Sequence, residues 1–166
     1  MRPIIFLDID GVVNTLQINT QPFDGRRGQV ERDGFYFDLC NESDGRVSNL
    51  QAVQWLNKLC IEHSADIVIS STWRRFEKEY TVEQCLRNSG LLDEIKVIGA
   101  TPYTGGERGG EIELWLQEHY PDGNVKFVIL DDDSDMGNLA QYLVRCNCDH
   151  GFGYPEYRAA SVILNS

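Results

Sequence analysis

The sequence predicts a three-layer α/β domain, a parallel β-sheet with helices on both faces. Two observations carry that expectation. Apolar runs of strand length alternate with amphipathic runs of helix length, the order left by successive βαβ crossovers. The chain has 166 residues, 42% hydrophobic and 25% charged, with no internal repeat, which suffices for a single domain over 1–166 with its own core.

The elements follow in order. IIFL gives a first strand from Pro3 to Asp8. VSNLQAVQWLNKLCIEHS places Leu50, Val53, Leu56, Leu59 and Cys60 on one helical stripe, with Ser48 or Asn49 as its N-cap. ADIVISS is a β-branched strand, and TVEQCLRNSGL a helix stopped at Gly90. EIKVIGATP is a strand closed by Pro102, EIELWLQEHY a helix, and VKFVILDDD the most strand-like run of all. MGNLAQYLV reads as helical, and VRCN as a short final strand. Residues 15–47 break the rhythm. Within them GQVERDGFYFDL alternates around Asp33-Gly34, which predicts a β-hairpin flap rising beside Asp8 and Asp10.

Composition excludes several classes. A formal net charge of −11 rules out a uniformly basic nucleic-acid footprint, so a polyanion would have to meet a local patch. The five cysteines, Cys40, Cys60, Cys85, Cys146 and Cys148, are read as reduced thiols of a cytoplasmic protein. Cys146-Asn-Cys148 beside His150 lacks the usual spacing of a zinc site. No apolar run approaches the ~20 residues of a membrane span, and no leader precedes IIFLD.

In open α/β sheets ligands bind beyond the carboxyl ends of the strands. The first strand brings Asp8 and Asp10 there, two residues apart and so on one face. The second brings Ser70, Ser71 and Thr72; the strand VKFVIL brings Asp131, Asp132 and Asp133; ERGG brings Arg108 close to a helix N-terminus. A carboxylate is a usable nucleophile toward phosphorus, but a phosphate ester is itself anionic. Two unit charges ~4 Å apart at an effective dielectric of ~20 repel by about 4 kcal/mol. A hard divalent cation removes that barrier, and Mg²⁺ needs only a few carboxyl or carbonyl ligands: Asp8, the backbone carbonyl of Asp10 and one acid of the Asp131–Asp133 cluster.

These residues reach a known family. F-L-D-I-D-G-V-V-N resembles the first motif of the haloacid dehalogenase-like (HAD) phosphohydrolases. I-V-I-S resembles their second motif, Arg108 their third, and V-I-L-D-D-D-S-D their fourth, in family order. The ensemble I-S-S-T-W-R, R-G-G-E-I and L-D-D-D looks further like the HAD domains of RNA-repair proteins of the polynucleotide kinase-phosphatase type. The resemblance implies a Rossmann-like fold without a large cap domain and a Mg²⁺-dependent phosphatase. Asp8 would be the nucleophile that forms an aspartyl phosphate, and Asp10 the general acid and then base. Ser70 or Ser71, together with Arg108, would bind the phosphoryl oxygens. Asp132, or else Asp131, would join Asp8 and Asp10 as a magnesium ligand. The implied substrate is a phosphate ester, with a nucleic-acid terminal phosphate preferred over a small metabolite. A non-catalytic HAD-like binding module is the competing class.

Plainer readings stand beside these. DDDSD lacks the Gly and Glu of an EF-hand, having Met136 and Tyr142 in their places. A receiver domain fails because the second strand ends in Ser70, not in a phosphoacceptor acid. Trp73 is read as packing rather than as a base-stacking platform, and Trp55 and Trp115 as core. Arg74 is open between substrate contact and surface, as are Arg26 and Arg27 in the flap. His63, His119 and His150 are assigned no catalysis.

Overall fold

The computed structural model describes residues 1–15, 31–32, 35–36, 45–75 and 81–166. Five strands, β1 (Ile4–Leu7), β4 (Asp66–Ile69), β5 (Val97–Ala100), β6 (Phe127–Asp131) and β7 (Leu143–Arg145), form one sheet in the order β5-β4-β1-β6-β7. Every pairing in it is parallel. β2 (Glu31–Arg32) and β3 (Phe35–Tyr36) pair antiparallel, Arg32 opposite Phe35, as the Asp33-Gly34 turn predicts. The rest of the expected 15–47 flap, with Arg26, Arg27 and Cys40, lies outside the described residues.

The strands are apolar on both faces because both are covered. Ile5, Leu7, Ile67, Ile69, Val128 and Leu130 belong to the larger core. They share it with α1 (Leu50–His63), α2 (Val82–Asn88) and α4 (Tyr154–Asn165). The alternate residues Ile4, Phe6, Val68 and Ile129 pack with Ile112 and Trp115 of α3 (Arg108–His119) and with Met136. This is the three-layer α/β fold that the element order predicted, and it agrees with the Rossmann-like fold that the resemblance implied.

Local chemistry sets the helix ends. Asn49, not Ser48, caps α1: its side-chain oxygen accepts from Ala52 N at 3.0 Å. Ser48 serves a different junction, its hydroxyl accepting from Thr15 N at 2.8 Å and donating to Thr15 O at 3.2 Å. Asn49 Nδ2 also donates to Thr15 Oγ1 and His150 O. Thr81 and Gln84 cap α2 reciprocally.

Two expectations need correction. The helical run read at MGNLAQYLV is a 3₁₀ helix over Gly137–Tyr142, but Leu143 and Val144, placed in it, belong instead to β7. The helix α4 was not anticipated. Its stripe is Tyr157, Ala160 and Leu164, weakly apolar as text. Its start, though, carries a signal: Pro155 sits in the first turn and Gly153 N donates to Glu156 Oε2 at 3.0 Å. α4 packs on α1, where Trp55 meets Tyr157 at 5.3 Å between ring centroids.

Phe6 is fully buried and meets Trp115 and Phe127 edge-to-face at 5.4 and 5.7 Å. Phe6→Ala is expected to lower stability by about 3–5 kcal/mol, measured by denaturant unfolding.

Candidate active site

Strand register builds the site. Leu7 lies beside Ile69 on one side and Leu130 on the other. The next residue of each strand is therefore Asp8, Ser70 and Asp131, side by side at the carboxyl edge. The ladder continues through them, Asp8 N donating to Leu130 O and Ser70 N to Leu7 O. Side-chain alternation puts all three on the face that α3 covers.

Oxygens of Asp8, Asp131 and Asp132 lie within 4.8 Å of one another. Asp8 and Asp131 are buried and Asp132 is partly so. Burial pushes the Asp8 carboxyl well up from its ordinary range; Asp131 and Asp10 add to the rise, while Arg108 and the Ser71 hydroxyl oppose it. Burial likewise pushes Asp131 up to about 7, against the Asp133 amide, which donates to it at 2.9 Å, and against Arg108. Asp132 is also raised, chiefly by burial. A hard, oxygen-loving cation suits this set: every donor is a carboxylate, the acids crowd one another, and Asp131 Oδ2 is buried without a hydrogen bond.

Arg108 is the cation the chain itself provides. Its Nη2 stands 3.8 Å from Asp8 and its Nε 3.5 Å from Asp131, and its guanidinium also donates to Ser70 O. α3 begins at Arg108, earlier than the EIELWLQEHY stretch predicted. Asp135 explains the early start: its carboxylate accepts from Arg108 N and its carbonyl from Gly109 N, both at 3.0 Å. A Cβ on Gly109 would come within 2.2 Å of Met136 O, so only glycine lets the helix end approach this closely.

The remaining predicted residues fall around this centre. β1 stops at Leu7, and Asp10 lies in the turn that follows. Gly11 has φ +73°, and a Cβ there would stand 2.4 Å from Asp132 Cγ, so the glycine makes room for that acid. Asp10 is bonded to Trp73 Nε1 and Asn14 Nδ2. Ser71 Oγ accepts from Trp73 N at 3.4 Å, whereas the Ser70 hydroxyl is buried without a partner. The Arg74 side chain is largely buried. It forms a buried ion pair with Glu111 and donates to the carbonyls of Ser71 and Pro102. Trp73 belongs to the core, as expected, but with its polar edge turned to Asp10. None of the three histidines joins the cluster; His63 bonds Ser161 and His119 stacks on Trp115.

Sequence reasoning missed Asp135 as the cap of α3 and Glu111 as the partner of Arg74. The run DDDSD did hold a readable sign, an acid shortly before a buried loop, but cap geometry across 27 residues is not a local signal.

Acids raised in the folded state make its stability fall as pH rises, because the folded protein holds more protons than the unfolded chain between about pH 4 and pH 7. The metal-free protein is therefore expected to lose on the order of 2–4 kcal/mol across that window, and Asp131→Asn to flatten the slope, both read from urea unfolding at a series of pH values.

A family model described as the HAD domain in Swiss Army Knife RNA repair proteins matches residues 4–156. No curated protein and no solved structure matches significantly. The match spans the first strand with Asp8, the β4 rim, Arg108 and the Asp131–Asp135 run, so the chain belongs to the family of HAD domains found in Swiss Army Knife RNA repair proteins.

Proposed function

We propose that this chain is a Mg²⁺-dependent phosphatase that works through an aspartyl phosphate on Asp8 and acts on terminal phosphates of nucleic acid. The observation that carries the reading is the convergence of Asp8, Asp131, Asp132 and Arg108 at one sheet edge, within a family of RNA-repair HAD domains.

Asp8, Asp131 and Asp132, with the Asp10 carbonyl, would hold Mg²⁺, which when bound supplies the positive charge that lets an anionic ester approach the carboxylates. Everything else falls to the chain's own side chains. A carboxylate oxygen of Asp8 forms a bond to phosphorus as the ester P–O bond breaks. Asp10 gives its proton to the departing oxygen. Water then loses a proton to Asp10 and attacks phosphorus; inorganic phosphate leaves, and Asp8 is a free carboxylate again. Arg108 and the hydroxyls of Ser70 and Ser71 supply donors for the phosphoryl oxygens. The Ser70 hydroxyl, buried and unpartnered, is suited to that task. In this reading 1–166 is one unit, and among the described residues no cap domain accompanies the sheet, which suits a polymer end as substrate. Among the described cysteines, Cys60, Cys146 and Cys148 are free thiols, which suits a cytoplasmic setting. Among the described residues no helix is long and apolar enough to cross a membrane.

Asp8→Asn should keep its fold by circular dichroism and lose at least ~1,000-fold in turnover of an aryl phosphate; full activity in that variant would overturn the proposal. Wild-type protein should turn over 3′- or 5′-phosphorylated oligonucleotides with higher kcat/KM than mononucleotides or sugar phosphates; the reverse order would assign it a small phosphorylated metabolite. Mg²⁺ is expected to raise the thermal midpoint at pH 7.5, and Asp132→Asn to weaken that rise.

A further inference from the structure

Trp73 is 4% exposed and packs among the same apolar residues as Leu7 and Ile9. Packing alone calls for a large ring at this place, not for an N–H. Yet the indole Nε1 donates to both carboxylate oxygens of Asp10, at 3.0 and 3.1 Å. A donor placed between the two oxygens fixes the rotation of the carboxyl plane. A second restraint comes from the side, where Asn14 Nδ2 donates to Asp10 Oδ1 at 3.2 Å. Both restraints are themselves held. Trp73 N donates to Ser71 Oγ at 3.4 Å, and Asn14 Oδ1 accepts from Ser48 N at 3.1 Å. The ring comes from the 3₁₀ turn Thr72–Arg75 directly after the β4 rim, so the element that presents Ser70 and Ser71 also orients Asp10.

We propose that Trp73 is a positioning residue that clamps the Asp10 carboxyl group in the orientation needed for proton transfer to the departing oxygen. The proposal rests on the reading of Asp10 as the general acid given above. A general acid acts only within hydrogen-bond reach of its target, and a displacement of about 1 Å costs up to ~100-fold. Deleting the N–H while keeping the ring releases the carboxyl plane without emptying the core.

The consequence separates from ordinary destabilisation by its dependence on the leaving group. An alkyl oxygen leaves poorly unless it receives a proton, whereas 4-nitrophenolate leaves without one. kcat/KM covers the steps up to formation of the aspartyl phosphate, so it reports the acid role and not the later activation of water. Trp73→Phe is expected to lower kcat/KM for an alkyl phosphate by at least tenfold more than for 4-nitrophenyl phosphate. Asp10→Asn should show the same split. In the Asp10→Asn background, Trp73→Phe should add less than about twofold on the alkyl ester, since the group through which it acts is already gone.

Equal losses on the two esters, or full additivity with Asp10→Asn, would overturn the clamp and leave Trp73 a packing residue, while the split in Asp10→Asn would still support the phosphatase reading. A wild-type protein that hydrolyses neither ester would overturn both. If Trp73→Phe fails to fold, 3-benzothienylalanine at position 73 keeps the bicyclic ring, replaces N–H with sulfur, and carries the same expected split.

Discussion

The repulsion between Asp8 and Asp131 is the constraint around which this molecule is arranged. Parallel register leaves no freedom in the matter: once Leu7 pairs with Leu130, the following residues stand on neighbouring strands, about 4.8 Å apart. Two carboxylates at that spacing in a partly dehydrated setting oppose each other by several kcal/mol. The chain answers with Arg108, whose guanidinium reaches both acids and the Ser70 carbonyl at once. One arginine does not balance three acids; burial first, and neighbouring acids second, hold the Asp8 and Asp131 carboxyls above their ordinary range.

Delivering Arg108 to that spot governs the packing on the α3 face. Asp135 fixes the first turn of α3, and Gly109 permits its contact with the Met136 carbonyl. Arg74 and Glu111 then tie α3 to the turn after β4, and Thr104 N adds a bond to Glu111 Oε1 at 2.8 Å. A buried ion pair of this kind is a poor source of net stability, because both charges lose water. Its value here is geometric: it holds the β4 rim, the loop before α3 and the helix itself in one arrangement.

Much of this was legible in the sequence because it depends on short-range pattern. The five strands of the sheet and α1 to α3 follow from apolar periodicity, and the rim residues Asp8, Ser70, Arg108 and Asp131 from the rule that strands deliver their functional groups at their carboxyl ends. What stayed hidden depends on contacts distant in sequence. Nothing near Trp73 announces that its ring N–H meets an acid 63 positions earlier. Nothing near Asp135 announces a helix cap 27 positions away. The helix α4 was obscured for another reason, its buried face being Tyr157, Ala160 and Leu164, a stripe that α1 completes with Trp55.

The root of the segment between Thr15 and Gly45 has a consequence of its own. Thr15 and Asn14 on one side are stitched to Ser48 and Asn49 on the other by side-chain and backbone bonds, so the ends of that segment are held together whatever lies between them. Loop closure then costs little extra as the enclosed stretch lengthens. A change in the length of the enclosed stretch therefore adds little strain at its root, and the sheet edge keeps its dimensions. One of the stitches, Asn14, also bonds Asp10, which makes the amide of a single asparagine the mechanical joint between the root of that segment and the turn after β1.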